Sequence, residues 1–249
     1  MKNEELDRSK GHIPLYRQIK KKLKDKIIAG EYKYDDTIPT EIEIKDIYNV
    51  SRITSRQAIM DLEKEGYLER VRGKGTKVIF RGLIEEELSK IMSFTNEMKS
   101  RGIIPGTKFA KVSKIKADEI LASKCECQVG DELYRVERVR TGDNVPIVYF
   151  ITYISGKYNL PLDNNEYFGS LYELCAISGI PEHYYSTDRL TAGVADKKLA
   201  KQLEIQVNDP VLIRIRRSFS ASKELLEYTL SYYPASRYSY KITDLVKHK

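Results

Sequence analysis

Two pairs of arginines are spaced so that each pair's side chains fall together. Arg52 and Arg56 are four positions apart in "NVSRITSRQAIMDLEKEG", one turn of a helix. Arg138 and Arg140 are two apart in "YRVERVR", so on a strand they share a face with Tyr134 and Val136, opposite Leu133, Arg135, Glu137 and Val139. A guanidinium is a planar fork of donors that stays charged in nearly any surroundings and grips carboxylates and phosphates with paired hydrogen bonds. Each pair is therefore a candidate anion site. The first sits at the start of a helical pattern, where the macrodipole prefers negative charge. Taken alone it reads as a solvated helix start.

The elements around the first pair give it a destination. "IPLYRQIKKKLKDKIIAGEY" predicts a helix, with Pro14 suited to its first position, Leu15, Ile19, Leu23 and Ile27 along one face, and Gly30 as its stop. In "IPTEIEIKDIYN", Thr40 and Glu43 have the spacing of a capping box, and Ile42, Ile44 and Ile47 offer apolar contacts from a short second helix. Ser51 can cap the third helix, whose stripe is Ala58, Ile59 and Leu62 and whose end is Gly66. "YLERVRGKGTKVIF" then reads as a hairpin turning at Gly73-Lys74-Gly75. Three helices and a hairpin make a winged helix-turn-helix, whose third helix reaches base edges and phosphates from its N-terminal residues. There a duplex would supply the anion that Arg52 and Arg56 want.

"IPTEIEIKDIYNVSRITSRQAIMDLEKEGYLERVRGKGTKV" resembles the DNA-binding domain of the GntR family of bacterial transcription regulators, with its P-[ST]-E, V-S-R-x-T-x-R-x-A, L-x-x-E-G and G-x-G-T motifs in order. The resemblance implies that Ser51, Arg52, Thr54 and Arg56 contact the operator, with Gly73, Lys74 and Gly75 as a wing tip near the minor groove. Ser55, in the same polar turns, and Thr40, heading the preceding helix, join them as candidate contacts. Family members often carry arginine directly after the P-[ST]-E glutamate; here that residue is Ile42, which removes one phosphate or base contact.

Beyond residue 80, "ADEILASKCECQVGD" (117–131) and "ADKKLAKQLEIQVND" (195–209) align without gaps and share eight of 15 residues. Each precedes a hairpin-like segment, which predicts a duplicated helix–strand–turn–strand unit and an antiparallel sheet with helices packed on it. Cys125 and Cys127 face Leu203 and Ile205 in the alignment, so they read as small core hydrophobes rather than half of a metal site. Within this domain Arg138 and Arg140 point inward if the Tyr134 face does, and a buried charge needs a partner. A bound anion would serve, as would an internal carboxylate such as Glu227; solvent exposure is the third option.

"MSFTNEM", "RVERVR", "GSLYELC", "LTAGVADKKLAKQLEIQVNDPVLIRIRRSF" and "LEYTLSYYPASRYSY" occur in the order found in the UTRA effector domain, which defines the HutC branch of the GntR regulators. That resemblance implies a chorismate-lyase-like fold with an effector between the sheet and the loop carrying Ser170-Leu171-Tyr172. Arg138, Arg140, Thr95 and Ser170 would hold a phosphate or carboxylate, and Tyr172, Glu227 and Tyr233 would meet the sugar or organic part. Many members carry a glutamate near Phe150; its absence here removes an acceptor for sugar hydroxyls.

The expected fold is α+β: a winged helix-turn-helix over 11–78, a linker over 79–90, and an effector-binding and dimerisation domain over 91–245. Net charge is +7, and residues 1–80 hold 18 Lys and Arg against 14 Asp and Glu, more than half of the excess, which suits an acidic partner. No run of about 18 apolar residues predicts a membrane span, the first residues lack a secretory apolar core, and three cysteines suit a reducing cytoplasm. No metal or cofactor is expected. The chain reads as a cytoplasmic, homodimeric repressor that binds a pseudo-palindromic DNA operator under control of a small anionic effector, such as a sugar phosphate. The rival class is an enzyme, a lyase-like or hydrolase-like second domain on a DNA-binding head. G-x-S-x-G, HExxH and phosphate-binding glycine motifs are absent from the sequence. An architectural nucleic-acid binder is the third reading, and it leaves Arg138 and Arg140 without a task.

Overall fold

Apolar residues at every fourth position build the first helix. α1 (Leu15–Ile28) buries Ile19, Leu23 and Ile27 and stops where Gly30 takes a φ of +78°, a left-handed value that costs glycine little. α2 (Glu41–Tyr48) opens on a capping box: the Glu43 N–H donates to Thr40 Oγ1 at 3.3 Å, and the Thr40 N–H donates to the Glu43 carboxylate at 2.7 Å. α3 (Arg52–Lys64) is capped by Ser51, whose Oγ accepts from the Thr54 N–H at 3.2 Å. β1 (Leu68–Val71) and β2 (Gly75–Val78) pair antiparallel, with Gly73 and Gly75 at positive φ in the turn. Ile44, Tyr48, Ala58, Ile59, Leu62, Leu68 and Val78 close one core with the α1 face. Of the three isoleucines expected to pack from α2, Ile44 is buried and Ile47 lies against the core, but Ile42 is 55% exposed. Two residues along a helix turn a side chain through about 200°, to the opposite side, so Ile42 and Ile44 cannot share a face.

The computed structural model describes residues 5–9, 11–80, 82–87 and 92–241. The chain divides into two compact units, Met1–Ile84 and Glu85–Lys249. Of the expected linker, residues 81 and 88–90 lie outside the described residues, as do 91 and 242–245 of the expected second domain.

The rest of the chain runs β3 (Ile84–Glu87), α4 (Phe94–Ser100), β4 (Pro105–Lys116), α5 (Glu119–Cys125), β5 (Glu132–Gly142) and β6 (Val145–Ser155). A 3-10 turn at Asn164–Tyr167 and α6 (Leu171–Ile177) lead into β7 (Tyr185–Val194), α7 (Lys197–Leu203), β8 (Pro210–Phe219), β9 (Leu225–Pro234) and β10 (Tyr238–Lys241). Six strands form an antiparallel sheet in the order β4-β5-β6-β9-β8-β7, and β3 pairs with β10 in a separate ribbon. The fold is α+β: one unit is a helix-turn-helix with a hairpin, and the other an antiparallel sheet with flanking helices.

The repeated sequence is a structural duplication. β4-α5-β5-β6 and β7-α7-β8-β9 are the same unit, and they meet at β6 and β9, so the strand order reads symmetrically from that junction. Asp118 and Asp196 cap α5 and α7 alike, accepting from the Leu121 and Leu199 N–H groups at 2.7 Å each. The Ala117 and Ala195 N–H groups donate to Asp131 and Asp209 carbonyls at 2.8 and 2.9 Å. Both helices end on a glutamate in left-handed geometry, Glu126 and Glu204. α5 and α7 cover one face of the sheet, packing on Leu133, Tyr153 and Tyr228 and on Val139, Tyr149 and Val211. Cys125 and Cys127 lie against the first of these clusters. The 3-10 turn and α6 cover part of the other face, over Tyr134, Val136 and Ile154. No helix among the described residues is long and apolar enough to cross a membrane.

Because the two caps have the same geometry, Asp118→Ala and Asp196→Ala should each cost about 1 kcal/mol. Urea unfolding of the two variants measures this; a loss confined to one would show that the halves are not energetically equivalent.

Candidate functional site

The start of α3 presents a polar face with one apolar residue on it. Arg52 and Arg56 are exposed; Arg52 Nε lies 3.6 Å from Glu41 Oε2. Ser51 and Thr54 share a hydroxyl–hydroxyl bond of 2.8 Å, and Thr40 is exposed at the head of α2. Gly73, Lys74 and Gly75 are exposed at the hairpin tip. Ser55 departs from expectation. It is fully buried, and its hydroxyl donates to the Glu41 and Arg52 carbonyls at 2.9 and 3.0 Å. Its place is one turn before Ile59, on the core side of α3, so its side chain ties α3 to α2 and is not available to a duplex. Ile53 was missed: it is 81% exposed between the two polar turns, where an apolar group suits a thymine methyl.

The second pair lies in a cavity. On β5, Tyr134, Val136, Arg138 and Arg140 do share one face, with Arg138 opposite Ala110 on β4 and Phe150 on β6. Above this face the sheet, the start of α4 and the start of α6 line a pocket of about 630 Å³, a figure that includes the open solvent at its mouth. Thr95, Arg138, Arg140, Ser170, Tyr172, Glu227 and Tyr233 all line it.

Both arginines are buried, yet among the described residues neither faces a carboxylate. Arg140 donates from Nε to the Gly106 carbonyl at 2.9 Å, from Nη1 to the Gly169 carbonyl at 2.9 Å and from Nη2 to Thr95 Oγ1 at 3.1 Å. Arg138 Nη2 also donates to the Gly169 carbonyl, and its buried Nε has no partner among the described residues. Burial, then the neighbouring Arg140, pushes Arg138 down to about 9, and burial alone pushes Arg140 down to about 10. The alternative of a Glu227 ion pair is not realised: Glu227 Oε1 accepts instead from the Tyr172 hydroxyl at 3.1 Å and Ser218 Oγ at 2.9 Å. Phe94, Phe150 and Tyr233 form an aromatic wall, with Phe150 edge-on to both at 6.3 Å and the Arg140 guanidinium 4.9 Å from the Phe94 ring centre.

The far side of the cavity is charged but internally matched. Arg216 is held by Asp188 through two bonds of 2.8 and 2.7 Å, and Arg214 by Glu86 at 2.9 and 3.0 Å. The Tyr238 hydroxyl lies 2.5 Å from Glu86 Oε2 and 3.0 and 3.1 Å from the two oxygens of Glu97. Burial first, then the Glu86 charge, pushes Glu97 up to about 7.

Two family models match the chain: "Bacterial regulatory proteins, gntR family" over residues 15–78 and "UTRA domain" over residues 100–239. The chain belongs to the GntR family. The transcriptional repressor NagR of Bacillus subtilis is 31% identical over 92% of this chain and 93% of its own length. The mannosyl-D-glycerate transport/metabolism system repressor MngR of Escherichia coli is 24% identical over 93% and 96%. The crystal structure of PhnF from Mycobacterium smegmatis is 27% identical, with a TM-score of 0.62 over 92% of this chain and all of that one. The chain is therefore similar throughout to helix-turn-helix repressors that pair a GntR head with a UTRA domain.

In this GntR-family chain all seven effector-site candidates read from the sequence line the cavity, and other lining residues were missed. Ser93, Phe94, Arg214, Arg216, Glu86 and Glu97 also line it. Arg214 and Arg216 carried a signal, alternating on a strand as Arg138 and Arg140 do; Glu86 carried none, since its partner lies far along the chain.

Glu97 makes the structure's stability depend on pH. Its folded value lies above the ordinary carboxyl value of 4.5, so the folded state holds the proton more tightly than the unfolded chain. That contribution is complete below the unfolded value and is lost as pH rises through about 7. The urea midpoint should fall between pH 5 and pH 8, and Glu97→Gln should flatten that slope. An unchanged slope would assign the pH dependence to another group.

Proposed function

We propose that this GntR-family chain is a cytoplasmic, homodimeric repressor whose grip on a pseudo-palindromic operator is set by a small anionic effector in the second domain. The observation that carries the effector's charge is the pair of buried guanidiniums, Arg138 and Arg140, with only carbonyls and one hydroxyl as partners. Two cations left so in a low-dielectric cavity are costly, and an entering phosphate or carboxylate removes that cost. Glu227, Tyr172 and Thr229 offer hydrogen bonds to a polar body, and the Phe94–Phe150–Tyr233 wall takes an apolar edge. A sugar phosphate or a sugar-linked acid has this shape of chemistry. The relative named for mannosyl-D-glycerate is named for a compound that joins a sugar to a carboxylate, which supports the reading.

Thr40, Ser51, Arg52, Thr54 and Arg56 are the proposed operator contacts on α2 and α3, with Ile53 added, and Gly73, Lys74 and Gly75 the wing tip. The bounds 11–78, 79–90 and 91–245 are proposed for head, linker and effector domain. An effector regulates such a protein only through unequal affinity for its DNA-competent and incompetent states. An enzymatic second domain is less well supported. His183 packs edge-on against Tyr172 at 4.3 Å, and burial pushes the Cys175 thiol up to about 12, leaving it un-ionised.

Gel-shift titration against the chain's own upstream region tests the DNA half. Arg52→Ala and Arg56→Ala should each weaken specific binding by about 1–3 kcal/mol if each makes a paired base contact; unchanged affinity for both would sink the assignment. A thermal-shift screen of sugar phosphates and organic acids tests the other half. The hit should vanish in Arg138→Ala; a hit that Arg138→Ala leaves intact would move the effector out of this cavity.

A further inference from the structure

The duplication allows the two ends of the cavity to be compared atom by atom. The repeat offset of 78 residues carries Arg138 onto Arg216 and Ala110 onto Asp188. The registers agree: Ala110 faces Arg138 across β4 and β5, and Asp188 faces Arg216 across β7 and β8. In the second half, Arg216 Nε and Nη2 donate to the two oxygens of Asp188. In the first half, the same two nitrogens of Arg138 find one loop carbonyl: Nη2 reaches the Gly169 carbonyl, and Nε is buried without a partner among the described residues. The cross-strand residue that would complete the pair is a methyl group, and Ala110 itself is buried in the adjoining apolar cluster. Among the described residues Arg214 Nε is likewise buried without a partner, but Arg214 Nη1 donates to both oxygens of Glu86, so its charge is already neutralised.

We infer that Ala110 is the specificity-determining position of the cavity. By withholding the carboxylate that Asp188 supplies in the second half, it leaves Arg138 to be neutralised by the ligand. The inference rests on the anion reading above and narrows it. The effector carries one anionic group, seated at the Arg138 and Arg140 end. Its other end meets Arg216 and Arg214 already paired, so it presents neutral hydroxyl, amine or amide groups there. Bisphosphates and diacids are thereby disfavoured, since their second charge would face Glu227, Glu86 and a closed Asp188–Arg216 pair.

Equilibrium dialysis of the full chain against inorganic phosphate, with thermal unfolding run alongside, tests this. Wild type is expected to bind one phosphate per chain and to gain thermal stability from it. Ala110→Asp should weaken phosphate binding roughly tenfold or more and unfold at a higher temperature than Ala110→Asn without phosphate, because the new carboxylate pairs with Arg138. Ala110→Asn, equal in size and uncharged, should keep binding within roughly threefold. Asp188→Asn should unfold earlier than wild type and show a larger phosphate-induced rise, which keeps the inference testable if Ala110→Asp does not fold. No phosphate binding by wild type would overturn the anion reading itself. One bound phosphate with Ala110→Asp binding as well as wild type would leave that reading standing and overturn the role of Ala110. Equal losses in the Asp and Asn variants would make the position merely steric. Two phosphates on wild type, or an Asp188→Asn chain that matches it in both readouts, would overturn the single-anion claim.

Discussion

The second unit is organised around two guanidiniums that the fold buries without neutralising. Taking an ion out of water costs of the order of several kcal/mol even after relaxation, against a net stability for an ordinary domain of about 5–15 kcal/mol. Arg138 and Arg140 are tolerated because their surroundings are polar in the right directions. The Gly169 carbonyl, just before α6, accepts from both; the Gly106 carbonyl at the start of β4 and the Thr95 hydroxyl on α4 take the rest. Three separate segments are thus held against one strand by a charge that dipoles only partly satisfy. An anion entering there would add its own stabilisation to the folded state and would act on all three segments at once.

The scaffold makes this possible by being nearly symmetric while its charges are not. Two copies of one strand–helix–strand–strand unit build a sheet whose inner strands, β6 and β9, lie side by side. The helices α5 and α7 cover one face through matching caps and matching left-handed ends. The other face is free of that constraint, and there the copies diverge. One half keeps Asp188 with Arg216; the other has Ala110 opposite Arg138. A duplicated sheet gives a cavity two similar ends, and a single carboxylate decides which of them still requires a counter-ion.

How much of this was legible in the sequence follows from the range of each interaction. The α2 capping box, the Ser51 cap, the Ala58–Ile59–Leu62 stripe, the hairpin glycines and the shared face of Arg138 and Arg140 depend on residues within one or two turns or pleats, and all could be read from spacing. The duplication was legible because eight identities survive in fifteen positions. Ser55 was misjudged because its polarity resembles that of Ser51 and Thr54; only the helix's orientation on α2 shows that its hydroxyl serves the Glu41 carbonyl. The pairing of arginines was illegible for a different reason. Arg216 finds Asp188 28 residues away and Arg214 finds Glu86 128 residues away, so no local pattern separates the neutralised arginines from the unsatisfied ones.

The same network reaches the beginning of the second unit. Glu86 lies on β3, the first strand of that unit, and it is held by Arg214 from β8 and by Tyr238 from β10, whose hydroxyl also faces Glu97 on α4. α4 in turn carries Thr95, which accepts from Arg140, and Phe94, beneath the Arg140 guanidinium. An anion placed against Arg140 therefore competes for the donor that now holds Thr95, and it brings negative charge towards two carboxyl groups that already contend for one hydroxyl. Either effect would change how firmly α4 and β3 are joined. Each would be a differential contact of the kind a ligand must possess to shift a conformational equilibrium. β3 is thus fastened through Glu86 by Arg214, which lines the cavity, and by Tyr238, whose hydroxyl also faces Glu97 of the lining.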